Sequence, residues 1–263
     1  MSQSKTKFET WIVGSDIHVP KQNKQALSCF IKTIDKLKPY GVILNGDIMD
    51  CGVFSRHDIN VAPKKYWTDS DFFDASIKDY EETKELLSTI KKSIGKDGKL
   101  VWLLGNHEVW LQDFIERSPT TRGKLFSLEK RLPIKELDVK VYPYKDIFKL
   151  GKLRVVHTLF DSGGAGGGKH HASKHVEVMG ASVLYGHYHD IQSSSKVTPE
   201  LVSHMAYSAG CLCDLNPRYL RNGPQNWSHG FAIVYVYPNN QFQVDIKRIV
   251  NNQVIVDNQL IKG

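Results

Sequence analysis

Three apolar runs in the first half of this chain end alike. WIVGSDIH (11–18), VILNGD (42–47) and VWLLGNHE (101–108) each pass through glycine or serine into Asp, Asn, His or Glu. Short apolar runs bounded by turn residues read as buried strands, here 8–15, 40–47 and 99–105. Helix-period patterns lie between them. Ala26, Leu27, Phe30, Ile31, Ile34 and Leu37 recur at helical spacing, and Pro39 closes that helix. Thr68 to Asp71 offer an N-cap for a second helix carrying Phe73, Ile77, Tyr80, Leu87 and Ile94, which Gly95 and Gly98 break. A β-α-β-α-β order means parallel strands joined by helices. The C-terminal ends of such strands share one edge, and ligands bind there.

Further helices are expected at 108–117 and 122–132. Beyond Pro133 the pattern turns to strands: VKVYPY, DIFKL and KLRVVHT, with Gly151-Lys152 as a tight hairpin turn. A glycine-rich loop, GGAGGG (163–168), leads into a helix near 170–179 and a strand at 181–186. GFAIVYVY and QFQVDIKRIV flank Pro238-Asn239-Asn240 as a second hairpin. One domain over 8–250 is the simplest organisation, with 51–98 as a partial cap over the site.

At 263 residues, 41% hydrophobic and 24% charged, the chain can bury a sizeable core. No run reaches the roughly 18 apolar residues of a membrane span, so no membrane partner is expected. The start, MSQSKTKFET, has no apolar signal core, and four scattered cysteines make no disulfide scaffold. A reducing, cytoplasmic setting follows as an expectation. Cys211 and Cys213 form a C-x-C, a weak metal signal that reads more simply as two side chains on one face of a strand. The net charge of +7 favours anionic partners such as phosphates, against the plainer alternative of a solvated basic surface.

Five strand ends deliver polar groups to one edge: Asp16 and His18; Asp47; Asn106, His107 and Glu108; His157; and His187 and His189. Any one of these alone is an ordinary turn or loop residue. Their order and placement together point to a metal site. Along an extended segment residues two apart face one side, so Asp16 with His18, and His187 with His189, can each chelate a cation. Mixed oxygen and nitrogen donors suit Mn, Fe, Zn, Co or Ni better than Mg or Ca. Seven donors exceed the needs of one ion and fit two divalent ions sharing a carboxylate.

The blocks DIH (16–18), GDIMD (46–50), GNHE (105–108), His157 and GHYH (186–189) resemble those of the calcineurin-like metallophosphoesterases. The likeness extends to compact single-domain members of bacteria and phages, through a Trp-x-x-Gly-Phe stretch at Trp227 to Phe231. The resemblance implies an α/β-β-α sandwich of two mixed sheets flanked by helices. It also implies a hydrolase for phosphate esters with two divalent ions, Mn foremost. Asp16, His18 and His189 would hold the first ion, and Asn106, His157 and His187 the second. Asp47 would bridge them, and a water or hydroxide between the ions would be the nucleophile. His107 would not bind metal but would serve as general acid toward the leaving oxygen or steady the charge there. Glu108 would orient His107 and favour its charged form, or else act as a first-turn helix carboxylate.

Two departures matter. Asp50 is followed by Cys51-Gly52, where protein phosphatases of the superfamily continue with Arg-Gly, so phosphoprotein phosphatase activity is disfavoured. The fourth block is His157-Thr158 instead of His-Gly, which leaves His170, His171 and His175 as fallback ligands. For substrate, Asn106, Arg56 and His57 are candidate contacts, Arg56 as a bidentate phosphate grip or simply a surface arginine. His229 and Trp227 flank the site or finish the sheet core. The loop at 163–168 offers amides to a phosphate or is a lid or solvent loop. Three functions stay open: a phosphodiesterase for nucleic acid or nucleotides, a phosphomonoesterase for a small metabolite or nucleotide, and a non-catalytic metal-binding scaffold.

Overall fold

The computed structural model describes residues 8–55, 68–118, 124–160, 168–217 and 226–263. The first half runs β1 (Glu9–Gly14), α1 (Lys24–Leu37), β2 (Gly41–Asn45), a 3-10 turn (Gly52–Phe54), α2 (Asp69–Ile94), β3 (Lys99–Leu103), α3 (Asn106–Arg117), α4 (Leu128–Arg131) and β4 (Val139–Tyr142). The second half runs β5 (Phe148–Leu150), β6 (Leu153–Val156), α5 (His171–Met179), β7 (Val183–Tyr185), β8 (Ile191–Val197) and β9 (Ser203–Ala209). Two hairpins close it, β10 (Gly230–Val236) with β11 (Phe242–Arg248), and β12 (Gln253–Val256) with β13 (Gln259–Lys262).

Two mixed sheets carry the fold. The first has the order β11-β10-β1-β2-β3-β4, parallel from β1 to β4 and antiparallel on the β10 side. The second has the order β5-β6-β7-β9-β8, parallel at β6-β7-β9 and antiparallel at both edges. Side chains alternate along each strand, so β1 to β3 must be apolar on both faces. Trp11, Val13, Ile43, Val101 and Leu103 meet Leu153, Val155 and Leu184 of the second sheet. Ile12, Val42, Leu44 and Trp102 face the other way, with α1 residues such as Phe30 and Ile34 and α2 residues such as Leu87 and Ile90. Helix α5 covers the outside of the second sheet through Ala172 and Val176. The layers are therefore helix, sheet, sheet, helix, as the sequence implied.

Local signals behave as expected at several points. Asn23 caps α1 by accepting from the Ala26 amide at 2.9 Å, and Thr68 with Asp71 forms a capping box on α2. Gly151, at φ 58°, turns the β5–β6 hairpin in which Leu150 pairs with Leu153.

Four points differ from the expectations or go beyond them. Of the span 51–98 expected as a partial cap, helix α2 packs into the core as a flanking layer through Tyr80, Leu86, Leu87, Ile90 and Ile94, and 56–67 lie outside the described residues. Val254, Val256 and Ile261 join the same core, so the domain continues past residue 250. The helix expected at 122–132 is interrupted: Lys124 is helical, 125–127 turn, and the helix resumes as Leu128–Arg131, while 119–123 lie outside the described residues. Strand β8, IQSSSKV, escaped notice because an exposed edge strand lacks an apolar face. Among the described residues no helix is long and apolar enough to cross a membrane.

Candidate metal centre

The loops leaving β1, β2, β3, β6 and β7 meet at one edge. Asp16, His18, Asp47, His157 and His189 are all buried there, and Asn106 and His187 partly so. The chelating pairs do not use extended backbone. Asp16, His18, Asp47, His187 and His189 have φ values of 53°, 53°, 50°, 76° and 62°. Non-glycine residues hold that left-handed conformation at a cost and only where the surroundings enforce it, which marks functional loops. The amide of His187 donates to both oxygens of Asp16 at 3.0 Å, and the His18 amide donates to the Asp47 carbonyl oxygen at 2.9 Å. Two glycines allow the approach. Gly46 sits at φ 82°, and a Cβ there would collide with the His157 ring. A Cβ on Gly105 would strike the Asp47 carboxylate.

Two donor groups share Asp47. One is Asp16, His18 and Asp47; the other is Asp47, His157 and His187. His157 Nε2 lies 3.2 Å from Asp47 Oδ2 and 3.2 Å from Asn106 Oδ1, and His187 Nδ1 lies 2.8 Å from the same amide oxygen. On the other side His189 Nε2 lies 3.1 Å from Asp16 Oδ1 and 3.3 Å from His18 Nε2, which is 3.9 Å from Asp47 Oδ2.

The donor chemistry fits cations. His157 Nδ1 faces the Asn45 carbonyl oxygen at 2.8 Å, an acceptor only, so Nδ1 carries the proton. Nε2 then points bare at two oxygens unless it too is positively charged. Burial opposes a charge on this ring, yet Asp47 raises its pKa to about 10. Burial likewise opposes a charge on His189, and Asp16 raises it to about 10. The Asp16 carboxyl, which burial would raise, is lowered to about 2 by His189. Asp47 is held well below the carboxylate range by His157 and His107 against the pull of burial. A proton on each ring satisfies these sites in the way a divalent cation does.

His107 stands beside this set with 19% of its side chain exposed, against 6% for His18 and none for His157. Its amide donates to Asp47 Oδ1 at 2.9 Å. Its Nδ1 lies 2.6 Å from the Asp50 carbonyl oxygen and 3.9 Å from the Asp50 carboxylate. Asp50 also reaches His18 Nδ1 at 3.5 Å and Lys21 Nζ at 2.6 Å. Trp110 packs tilted against His107 and Trp227 against His189, with centroids 4.0 and 4.1 Å apart and rings at 39° and 59°.

Glu108 takes the second of the two roles expected of it, a carboxylate in the first turn of α3. Its buried carboxylate accepts from the amides of Gly105, Asp47, Ile48 and Met49 at 2.7 to 3.1 Å. It holds the turn after β2, and Asp50 is the group that orients His107. Burial and the Asp47 charge push Glu108 up to about 7.

Other expected residues fall out as follows. Arg56 and His57 lie outside the described residues, as does the glycine-rich loop except Gly168. His229 turns its Nε2 to the Cys213 carbonyl oxygen at 2.8 Å. His171 and His175 lie buried on the inner face of α5 in a separate network, while His157, despite its Thr158 neighbour, lies among the donors. Sequence reasoning missed Cys213, whose sulfur lies 3.7 Å from His189 Nδ1. Its C-x-C context was visible, but its proximity to a histidine 24 residues away was not.

A family model described as calcineurin-like phosphoesterase matches residues 12–222. No curated protein matches the chain significantly. Among solved structures it is similar to an uncharacterised predicted phosphoesterase from Streptococcus pneumoniae TIGR4, with 16% identity, TM-score 0.39 and 97% of each chain covered. It is similar to Zn-complexed Vps29 from Entamoeba histolytica, with 11% identity, TM-score 0.43 and 96% of each chain covered. Vps29 from Cryptosporidium parvum gives 12% identity and TM-score 0.43, covering 97% of this chain and 95% of that one. With the family model spanning most of its length and the strand-end donors gathered at one edge, this chain belongs to the calcineurin-like phosphoesterases.

Proposed function

We propose that the protein is a dinuclear metal-dependent phosphodiesterase acting on nucleic acid or nucleotides. The observation that carries the two-ion reading is the sharing of Asp47 by two donor groups. Asp16, His18 and His189 would hold one ion and Asn106, His157 and His187 the other, with Asp47 available to both. When bound, the ions neutralise phosphoryl oxygens and lower the pKa of the attacking water. Manganese suits the mixed donors.

The chain's own groups do the rest. The Asp50 carbonyl oxygen accepts a hydrogen bond from Nδ1–H of His107, which leaves Nε2 as the atom that, in the imidazolium form, gives its proton to the leaving oxygen. The Trp110 ring limits the swing of that imidazole. Asn106 adds an amide at the rim, where it can meet substrate as well as metal. The net charge of +7 and the missing Arg after Asp50 favour a polyanionic diester over a phosphoprotein. Four free, buried cysteines support a reducing compartment such as the cytoplasm.

The test is a pair of rates on bis(p-nitrophenyl) phosphate and p-nitrophenyl phosphate, with Mn added to metal-stripped protein. Faster turnover of the diester is expected. A monoester preference would move the function to a phosphatase for a small metabolite or nucleotide. No turnover of either would leave a metal-binding scaffold.

A further inference from the structure

We propose that His171 is a positioning residue for the metal centre, the group that locks the loop carrying His187 and His189. The proposal rests on the metal reading above. His171 is 2% exposed and lies on α5, outside the donor set. Its ring ties together both ends of the loop. Nδ1 lies 2.7 Å from the Tyr185 hydroxyl, at the end of β7. Nε2 lies 2.9 and 3.0 Å from the two oxygens of Asp190, the residue after His189. The ring face stacks on Tyr188, the residue between the two ligands, at 4.1 Å and 5°.

The tautomer follows from the partners. A carboxylate only accepts, so Nε2–H donates to Asp190, and Nδ1 accepts from the Tyr185 hydroxyl. Every polar atom of the ring is spent. Asp190 is fixed in turn: its carbonyl oxygen accepts from the Gly210 amide at 3.0 Å and the Ser208 hydroxyl at 2.7 Å. His175 backs the assembly. It stacks on Tyr185 at 3.8 Å and 6°, and its Nδ1 donates to the His171 carbonyl oxygen at 2.8 Å.

This rigidity answers a specific need. His187 and His189 hold φ values of 76° and 62°, which a free loop would relax. A clamp on residues 185, 188 and 190 leaves the two ligands no other backbone path. Loss of such outer support typically costs about 10–100-fold in metal affinity or activity.

The experiment is Co²⁺ titration of the metal-stripped full-length chain, read by calorimetry and by the visible Co²⁺ absorption, for wild type, His171→Phe and Tyr185→Phe. Phenylalanine keeps the stacking on Tyr188 but removes both hydrogen bonds. His171→Phe is expected to bind Co²⁺ about 10–100-fold more weakly, with a changed absorption band and an unchanged far-ultraviolet spectrum. Tyr185→Phe, which loses one bond, is expected to shift both readouts less and in the same direction. A folded His171→Phe with wild-type affinity and band overturns the proposal. If that variant does not fold, Tyr185→Phe decides on the same criteria. A wild type that binds no Co²⁺ would instead overturn the metal reading itself, and neither readout depends on catalysis.

Discussion

Glu108 Oε2 accepts from the main-chain amide of Asp47 at 3.1 Å, so a buried carboxylate fixes the backbone of the residue that both donor groups have in common. Its Oε1 takes the next two amides, from Ile48 and Met49. Each buried donor left unpaired costs about 1–3 kcal/mol. Glu108→Ala is therefore expected to lose several kcal/mol of stability and much of its metal affinity. Glu108→Gln, which keeps one oxygen but aims an NH2 at amide donors, should fall between. Denaturant unfolding paired with Mn titration checks both. Unchanged stability in Glu108→Ala would refute the structural role.

Asp47 joins the two donor groups, so its removal should be felt by both. Asp47→Asn is expected to lower metal content and activity together. Elemental analysis after dialysis, alongside diester hydrolysis, measures this. Full activity in the mutant would end the two-ion reading.

His107 predicts the opposite split. It lies outside both groups that share Asp47, and its Nδ1 is held by Asp50. His107→Ala should retain wild-type metal content and turn over more slowly, by about 10²–10⁴-fold for poor leaving groups. The deficit should shrink as the leaving group becomes more acidic. Equal deficits across an aryl ester series would remove the acid role.

His175 gives the fold a pH dependence away from the metals. Burial lowers its pKa to about 4 from 6.5, and its Nε2 accepts from the Leu159 amide at 3.5 Å, leaving no room for a second proton. As pH falls below 6.5 the unfolded chain takes up the proton first. Stability present above pH 6.5 is thus lost progressively down to about pH 4, by roughly 1–3 kcal/mol. His175→Phe, which keeps the stack on Tyr185, should flatten that decline. Urea midpoints at pH 7 and pH 4.5 for both metal-free proteins measure the difference, and parallel declines would contradict it.

The strand-end donors and the β-α-β half of the fold were legible as local pattern, and the layered fold as a whole through the family resemblance. Strand-length apolar runs bury themselves on both faces, and parallel strands put their C-terminal ends on one edge, which brings Asp16, Asp47 and Asn106 together; that His157 and His187 of the second sheet join them follows from how the two sheets pack. Backbone conformation at those ends was not legible. Period-two reasoning put Asp16 and His18 on an extended segment, whereas contacts from the neighbouring loop hold both in the left-handed region. The tertiary structure alone decided the outer partners as well. Glu108 went to the β2 turn, Asp50 to His107, Cys213 to His189 and His171 to Asp190. Each of these pairs joins separate loops or elements, and a hydrogen bond of about 3 Å depends on how those pieces pack, which no spacing along one chain records.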